Sequence, residues 1–334
     1  MIKAALIGMG WWGKNLAHAV NGRSQLIEFP LGVTHEVEPT RSFAHAHNMQ
    51  LADSLDAALA DKSIQAVVLA TPHSVHAEQI VAAANAGKHV FCEKPLTLTL
   101  SDAKRAIEAC KSNGVVLAVG QNKRFWPSMV KLRQVVESGV LGQILHLEGH
   151  YSNEHSSKFF SSWRESPSES PAGGLTGTGI HIVDAFVNIA GPASQVQATV
   201  SRFKSGADPR DTTSVNVLFE SGVQGYFAMV RATPIYWRVH VFGDQASVES
   251  LHENEVVVRY KGGRHERFVY PTVDSVQAEL EAFAMAIADP ERAATGNSAV
   301  IPYPISTTEM SNTIALFEAI VTSSETQNVV KVKS

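Results

Sequence analysis

Residues 4–13, Ala-Ala-Leu-Ile-Gly-Met-Gly-Trp-Trp-Gly, carry an apolar run straight into glycines spaced G-x-G-x-x-G. A run of this kind continues as a buried strand, a tight bend and a helix, and few other local structures suit that order. Gly8 permits the bend, Gly10 lets a pyrophosphate approach the backbone, and Gly13 lets the helix pack closely on the strand. Free amides and the positive end of the helix dipole then face the diphosphate. The glycine spacing alone is common. With a strand before it and a helix after it, and with Trp11 and Trp12 inside the turn, it reads as a dinucleotide cradle.

Up to about residue 122 the chain repeats this strand-helix rhythm. Strands are expected over 3–7, 26–34, 64–70, 89–92 and 115–119 with amphipathic stretches between them, which predicts a doubly wound parallel sheet covered on both faces. Acidic and hydroxyl residues at 53–56 and 101–102 suit helix starts. From Lys123 the alternation stops. A helix over 127–137, a long strand over 143–152 and a helix over 178–190 precede strands over 195–203, 213–219, 225–230, 238–242, 246–251, 256–260 and 266–270. Helices over 275–288 and 307–323 follow. Strands in succession predict a mostly antiparallel sheet, so the chain is expected to be α/β, with a dinucleotide domain at 1–122 and an α+β domain at 123–334. The Ser-, Glu- and Pro-rich stretch 155–172 is expected to be an active-site loop. The alternation Val215-Val217-Phe219 and Val239-Val241 is expected to leave an apolar sheet face open for a second copy.

Composition narrows the partners. With 44% hydrophobic residues, 18% charged residues and a net charge of −4, the chain has no basic excess to attract nucleic acid, so the expected partner is a small molecule. Cys92 and Cys110 are the only cysteines and have no metal-ligand spacing, so neither a disulfide framework nor a bound metal is expected. No signal peptide and no apolar run of about 18 residues is evident, and a cytoplasmic location is expected.

Other positions bear on the cofactor. Glu36 lies at the end of the second strand, about twenty residues past the glycines, where a carboxylate accepts from the adenosine 2′-hydroxyl and repels a 2′-phosphate. NAD is therefore expected rather than NADP; the alternative is a solvated Glu36 with Arg41 turned toward a phosphate. Thr71-Pro72 ends the strand at 64–70, facing the dinucleotide crevice. His73 and His76 follow, as cofactor contacts or as packing residues. In Cys92-Glu93-Lys94-Pro95, Lys94 is the candidate proton acceptor for interconverting an alcohol and a ketone. An amine does this near neutral pH only if desolvation and nearby positive charge lower its pKa. The alternative is a surface lysine before a turn proline.

Several segments, taken in order, resemble the Gfo/Idh/MocA oxidoreductase family over essentially the whole chain. They are Gly8 to Gly13; Thr71-Pro72 with His76; Ala86-Gly87-Lys88-His89-Val90 leading to Glu93-Lys94-Pro95; Gln121 with Arg124-Phe125; Trp163-Arg164; and Gly173-Gly174 leading to Gly179-Ile180-His181 and Asp184. The resemblance implies a Rossmann domain joined to a domain with a large open sheet, and NAD(P) at their junction. It also implies sugar or polyol substrates and a homodimer or tetramer packed through that sheet. Carried over, Lys94 takes part in proton transfer, the Lys94-Pro95 peptide is cis as in many relatives, and His181 bonds the reacting hydroxyl or acts as acid and base. Glu93 and Gln121 join the cofactor residues. One departure stands out: many polyol-oxidising relatives have an aspartate four residues before this histidine, where this chain has Gly177. Asp184, one turn beyond His181, either orients the imidazole or binds substrate, or is a helix-surface charge. Arg124, Asn153, Trp163 and Arg164 complete the expected substrate set, with a loop-anchoring role for Trp163-Arg164 as the alternative. The expected activity is NAD-dependent oxidation of a secondary alcohol on a sugar, polyol or related cyclic diol. Rivals are a dehydrogenase of a non-sugar ring such as a cis-dihydrodiol, and an inactive regulatory protein of the same fold.

Overall fold

The computed structural model describes residues 1–154, 163, 166, 168–203, 210–231, 233–289 and 303–333. The apolar run before the glycines forms β1 (Ile2–Ile7), buried at every residue but Lys3, as a strand covered on both faces must be. It joins β2 (Ile27–Val33), β3 (Gln50–Ala52), β4 (Ala66–Leu69), β5 (His89–Glu93) and β6 (Leu117–Gly120) in a parallel sheet of order β3-β2-β1-β4-β5-β6. That order reverses direction beside β1, the doubly wound pattern whose strand ends form a ligand crevice. Between the strands run α1 (Trp11–Val20), α2 (Val37–Ala46), α3 (Leu55–Ala60), α4 (His76–Asn85) and α5 (Leu100–Ser112). Ser54 caps α3, and Thr99, two residues before the expected Ser101, caps α5. The sequence pattern missed β3, whose three residues include no fully buried one.

A second sheet is built from β7 (Ile144–Ser152), β8 (Ala193–Arg202), β9 (Arg210–Phe219), β10 (Gln224–Val230), β11 (Tyr236–Gly243), β12 (Ala246–Leu251), β13 (Glu255–Tyr260), β14 (His265–Val269) and β15 (Val330–Lys331). Its order is β14-β13-β12-β11-β7-β10-β9-β8-β15, and among the described residues only β7 and β10 pair in parallel. Two helices, α6 (Pro127–Glu137) and α7 (Ile180–Ala190), pack on it. The α7 helix comes close because β7 has no side chain at Gly149: a Cβ there would stand 2.6 Å from Ile182 Cγ2 and 3.0 Å from Phe186 Cε1.

Two further helices among the described residues are α8 (Ser275–Ala288) and α9 (Thr307–Thr326). Contacts divide the chain into one unit of Met1–Asn122 with Asp274–Met310 and another of Lys123–Val273 with Ser311–Ser334. The expected division at residue 122 differs from this in one described element, α8, which was assigned to the second domain and packs in the first unit. In α8, Leu280, Phe283 and Ala284 join the core of β1, β2 and α1, and the Phe283 ring meets Phe91 edge-on at 5.7 Å. Helical periodicity shows that a face is buried without showing which sheet buries it. No helix among the described residues is long and apolar enough to cross a membrane.

The expected open apolar face also needs correction. Val215, Val217, Phe219, Val239 and Val241 are at most 4% exposed within the single chain, with the Phe186 ring of α7 6.3 Å from Phe219. The opposite face of the same strands carries Glu148, Tyr226, Arg238 and His240, with Glu249 and Arg259 beside them. There Arg238 bridges Glu148 at 2.7 Å and Glu249 at 2.5 Å, and Arg259 reaches Glu249 at 2.6 Å. Burial, reinforced by Arg238 and Arg259 and only partly countered by Glu249, pushes the His240 imidazole down to about 4. As pH falls from about 6.5, the unfolded chain takes a proton that folded His240 refuses until about 4, so His240 makes stability decline across that window. Urea midpoints measured across it should fall less steeply in His240→Asn than in the wild type.

Candidate functional site

In the first unit the cradle rests on backbone-to-backbone contact. Gly8 has φ +95°, and a Cβ on it would stand 2.5 Å from the Ala70 carbonyl oxygen, while one on Gly13 would stand 2.0 Å from the Gly8 oxygen. Gly10 has open space where its Cβ would be and begins α1 with no side-chain cap. The first turn of α1 contains no acidic residue, so its amides suit a diphosphate. Trp11 is half exposed and Trp12 packs against the core, with their rings 5.5 Å apart. Glu36 is exposed at the start of α2, its amide donating to the Thr34 hydroxyl at 3.1 Å. Arg41 grips Glu38 at 2.5 Å and holds that carboxyl below its usual range. This is a solvent-exposed pair of little energy.

On the same edge of the sheet, β4 leads into Thr71-Pro72, both half-buried, and the Thr71 hydroxyl donates to Gln79 at 2.6 Å. Despite their place at a helix start, His73 and His76 are buried, at 5% and 0% exposure. His76 Nδ1 lies 3.0 Å from the Pro95 carbonyl oxygen and Nε2 lies 3.1 Å from that of Thr71. Beyond the end of β5, Lys94 is half-buried before a cis Pro95, and its amide donates to the Glu93 carboxylate at 3.2 Å. Glu93 and Gln121 are 5% and 2% exposed. Gly120 makes room for Glu93, since a Cβ there would meet Glu93 Oε1 at 2.7 Å. The sequence reading missed this role, although a glycine directly after an apolar strand and before Gln121 signals it.

In the second unit His181 lies in the first turn of α7, 6% exposed, with its ring 6.2 Å from that of Tyr151. Asp184 receives both arms of Arg124, from Nε at 2.5 Å and Nη2 at 2.9 Å, and the two side chains are only 4% and 6% exposed. Residues expected to contact substrate separately are thus joined in one fork. Asn153 continues β7, with its amide donating to the Val230 carbonyl at 3.1 Å, and its side chain hydrogen-bonds Tyr151. Burial pushes the Tyr151 phenol up to about 12, so it remains protonated at neutral pH. The Lys123 ammonium stands over Trp126 at 3.7 Å, Tyr151 at 4.7 Å and Trp237 at 5.6 Å, a cation cage absent from the sequence reading. Trp163 is half-buried, while Arg164 lies outside the described residues. At Gly177 a Cβ would find nothing nearer than the Gly174 oxygen at 4.0 Å among the described residues, so the backbone there does not itself demand glycine.

Residues 2–121 match the model of the oxidoreductase family with an NAD-binding Rossmann fold, and residues 129–249 match the GFO/IDH/MocA C-terminal domain. The chain belongs to the Gfo/Idh/MocA oxidoreductase family. An uncharacterized oxidoreductase of Schizosaccharomyces pombe is 37% identical over 152 residues, which are 45% of this chain and 41% of that protein. The chain spans about 40% of the length of the first curated relatives it matches. The scyllo-inositol 2-dehydrogenase (NADP(+)) IolU of Bacillus subtilis is 27% identical, over 81% of this chain and 83% of its own. The structure of levoglucosan dehydrogenase with NADH and levoglucosan superposes with a TM-score of 0.85 at 24% identity, covering 100% of both chains, a likeness in fold.

The Arg124–Asp184 fork has a measurable consequence. Asp184→Asn leaves a guanidinium buried without its countercharge, a change that typically costs about 3–5 kcal/mol. Urea denaturation should show a loss of that order, and the double change Arg124→Met with Asp184→Leu should recover much of it. Equal stability of Asp184→Asn and wild type would show that the pair does not hold α7.

Proposed function

We propose that this member of the family is an NAD-dependent dehydrogenase that interconverts a secondary alcohol and a ketone on a sugar, polyol or related cyclic diol. The observation that carries this reading is the placement of Lys94 just beyond β5, on the same sheet edge as the cradle at the end of β1, with only β4 between them. Bound NAD would supply the hydride acceptor. Gly8, Gly10, Gly13, Trp11 and Trp12 would hold its diphosphate half, Thr71, Pro72 and Lys94 would line the crevice with the buried His73, His76, Glu93 and Gln121 supporting that lining, and Lys94 would accept the hydroxyl proton. His181 is assigned as the imidazole that bonds the reacting hydroxyl, with Asn153, Trp163 and Arg164 as substrate contacts and Arg124–Asp184 as the fork behind them. The absence of the aspartate at Gly177 keeps open a second reading, oxidation of a non-sugar ring such as a cis-dihydrodiol, whose handling would not require it. A substrate panel followed by the absorbance of reduced nicotinamide separates the two. Retention of Lys94 and His181 weighs against an inactive regulatory protein.

Glu36 is assigned as the ribose acid, which favours NAD; Arg41, held by Glu38, is not poised for a 2′-phosphate. Calorimetric titration should give tighter binding of NAD than of NADP, with Glu36→Ser narrowing or reversing the ratio. Tighter NADP binding by the wild type would remove the assignment.

We further propose a homodimer or tetramer packed through the charged face of the second sheet rather than through the covered valines. Light scattering at micromolar concentration should give a multiple of the chain mass, and a monomeric mass would count against it.

The chemistry is tested by Lys94→Ala and His181→Ala. Each should lower kcat by about 10² to 10⁴ with NAD affinity nearly unchanged. If both serve one proton transfer, the double variant should lose far less than the product of the single losses. Near-normal turnover in a folded Lys94→Ala protein would overturn the proposed mechanism.

A further inference from the structure

Both ring nitrogens of His76 face atoms that can only accept. The Pro95 carbonyl oxygen is 3.0 Å from Nδ1, the Thr71 carbonyl oxygen is 3.1 Å from Nε2, and the residue is fully buried. A neutral imidazole has one N–H and one lone pair, so it satisfies one carbonyl and turns a lone pair toward the other. Only the imidazolium donates to both. We propose that His76 is held as an imidazolium, a buried cation that ties Thr71 to Pro95 and keeps the neighbouring Lys94 amine ready to accept a proton.

Burial alone opposes charge on a histidine. Two charge-assisted hydrogen bonds oppose that penalty. Other titratable groups lie on the surrounding elements. The His73 ring stands edge-on at 5.7 Å from the preceding turn, and the Cys92 thiol on β5 is pushed well up by burial and by Glu93, so it stays neutral. Glu78 of α4 pairs with Arg105 of α5 at 2.6 Å, Arg105 pairs with Asp102 at 3.0 Å, and all three are solvent-exposed and screened. No titratable side chain comes from β4 (Ala66–Leu69).

The effect on Lys94 rests on the reading of that lysine as the proton acceptor. A fixed positive charge bonded to the adjacent residue's carbonyl disfavours the ammonium form, which is what an amine needs to act as a base near neutral pH. His76 would be a positioning residue, since it would act through Lys94 and the loop ends.

The full-length protein labelled with ¹⁵N-histidine, its rings assigned through the backbone, tests the charge directly by NMR. At about pH 8, above the ordinary histidine pKa of about 6.5, both His76 ring nitrogens should carry protons. One protonated and one bare nitrogen would overturn the proposal, whether or not the enzyme oxidises any polyol. The second arm is the pH dependence of kcat/KM for alcohol oxidation. Removing the cation in His76→Gln should move the rise with pH upward by about one unit. An unmoved profile would break the link to Lys94, and the wild-type spectrum remains decisive for the charge if that variant does not fold.

Discussion

A helix can approach a strand closely only where the backbone has no side chain, and both units use this constraint to seat a helix. At Gly13 the first turn of α1 lies against the Gly8 carbonyl just beyond β1, and Gly8 in turn lies against the backbone of Ala70, the residue after β4. At Gly149 the α7 helix settles onto β7, which fixes where its first turn carries His181 and where Asp184 meets Arg124. A methyl at Gly13 or Gly149 would lift a whole helix, since the opposing atoms are backbone or packed core rather than the ends of flexible chains.

How the buried charges are held follows from this placement. Arg124 and Asp184 neutralise each other through a planar fork, which allows one relative orientation of turn and helix. Lys123, the preceding residue, sits among the faces of three aromatic rings. Tyr151 belongs to that cage and also meets the His181 ring and the Asn153 side chain, so a phenol that stays protonated links the cation to two assigned site residues. Such networks over-determine side-chain positions, which is what proton transfer over a fraction of an ångström requires.

Much of this was readable along the chain. The glycine cradle, the parallel strands and the change of rhythm at Lys123 are local signals, carried by adjacent residues and short periods. What was not readable depends on distant partners. Alternation at Val215, Val217 and Phe219 shows that these residues share a face, but not that α7 covers it, so the wrong face was expected to be open. The same holds for α8, whose amphipathic stripe fits either sheet. The Arg124–Asp184 fork joins residues 60 positions apart, and the His76–Pro95 contact joins residues 19 apart. Burial of His73 and His76 in a first helical turn runs against the usual exposure of such positions.

The return of α8 to the first unit has a consequence for how the chain is made. Leu280 and Phe283 belong to the core of β1, β2 and β5, yet they are translated after nearly all of the second unit. During synthesis the N-terminal sheet therefore leaves the ribosome with one flank of its core uncovered, and waits for more than 150 further residues before α8 arrives to close it. The second unit has its main strands available by then, so the nucleotide-binding fold, first in sequence, is among the last parts completed on the growing chain.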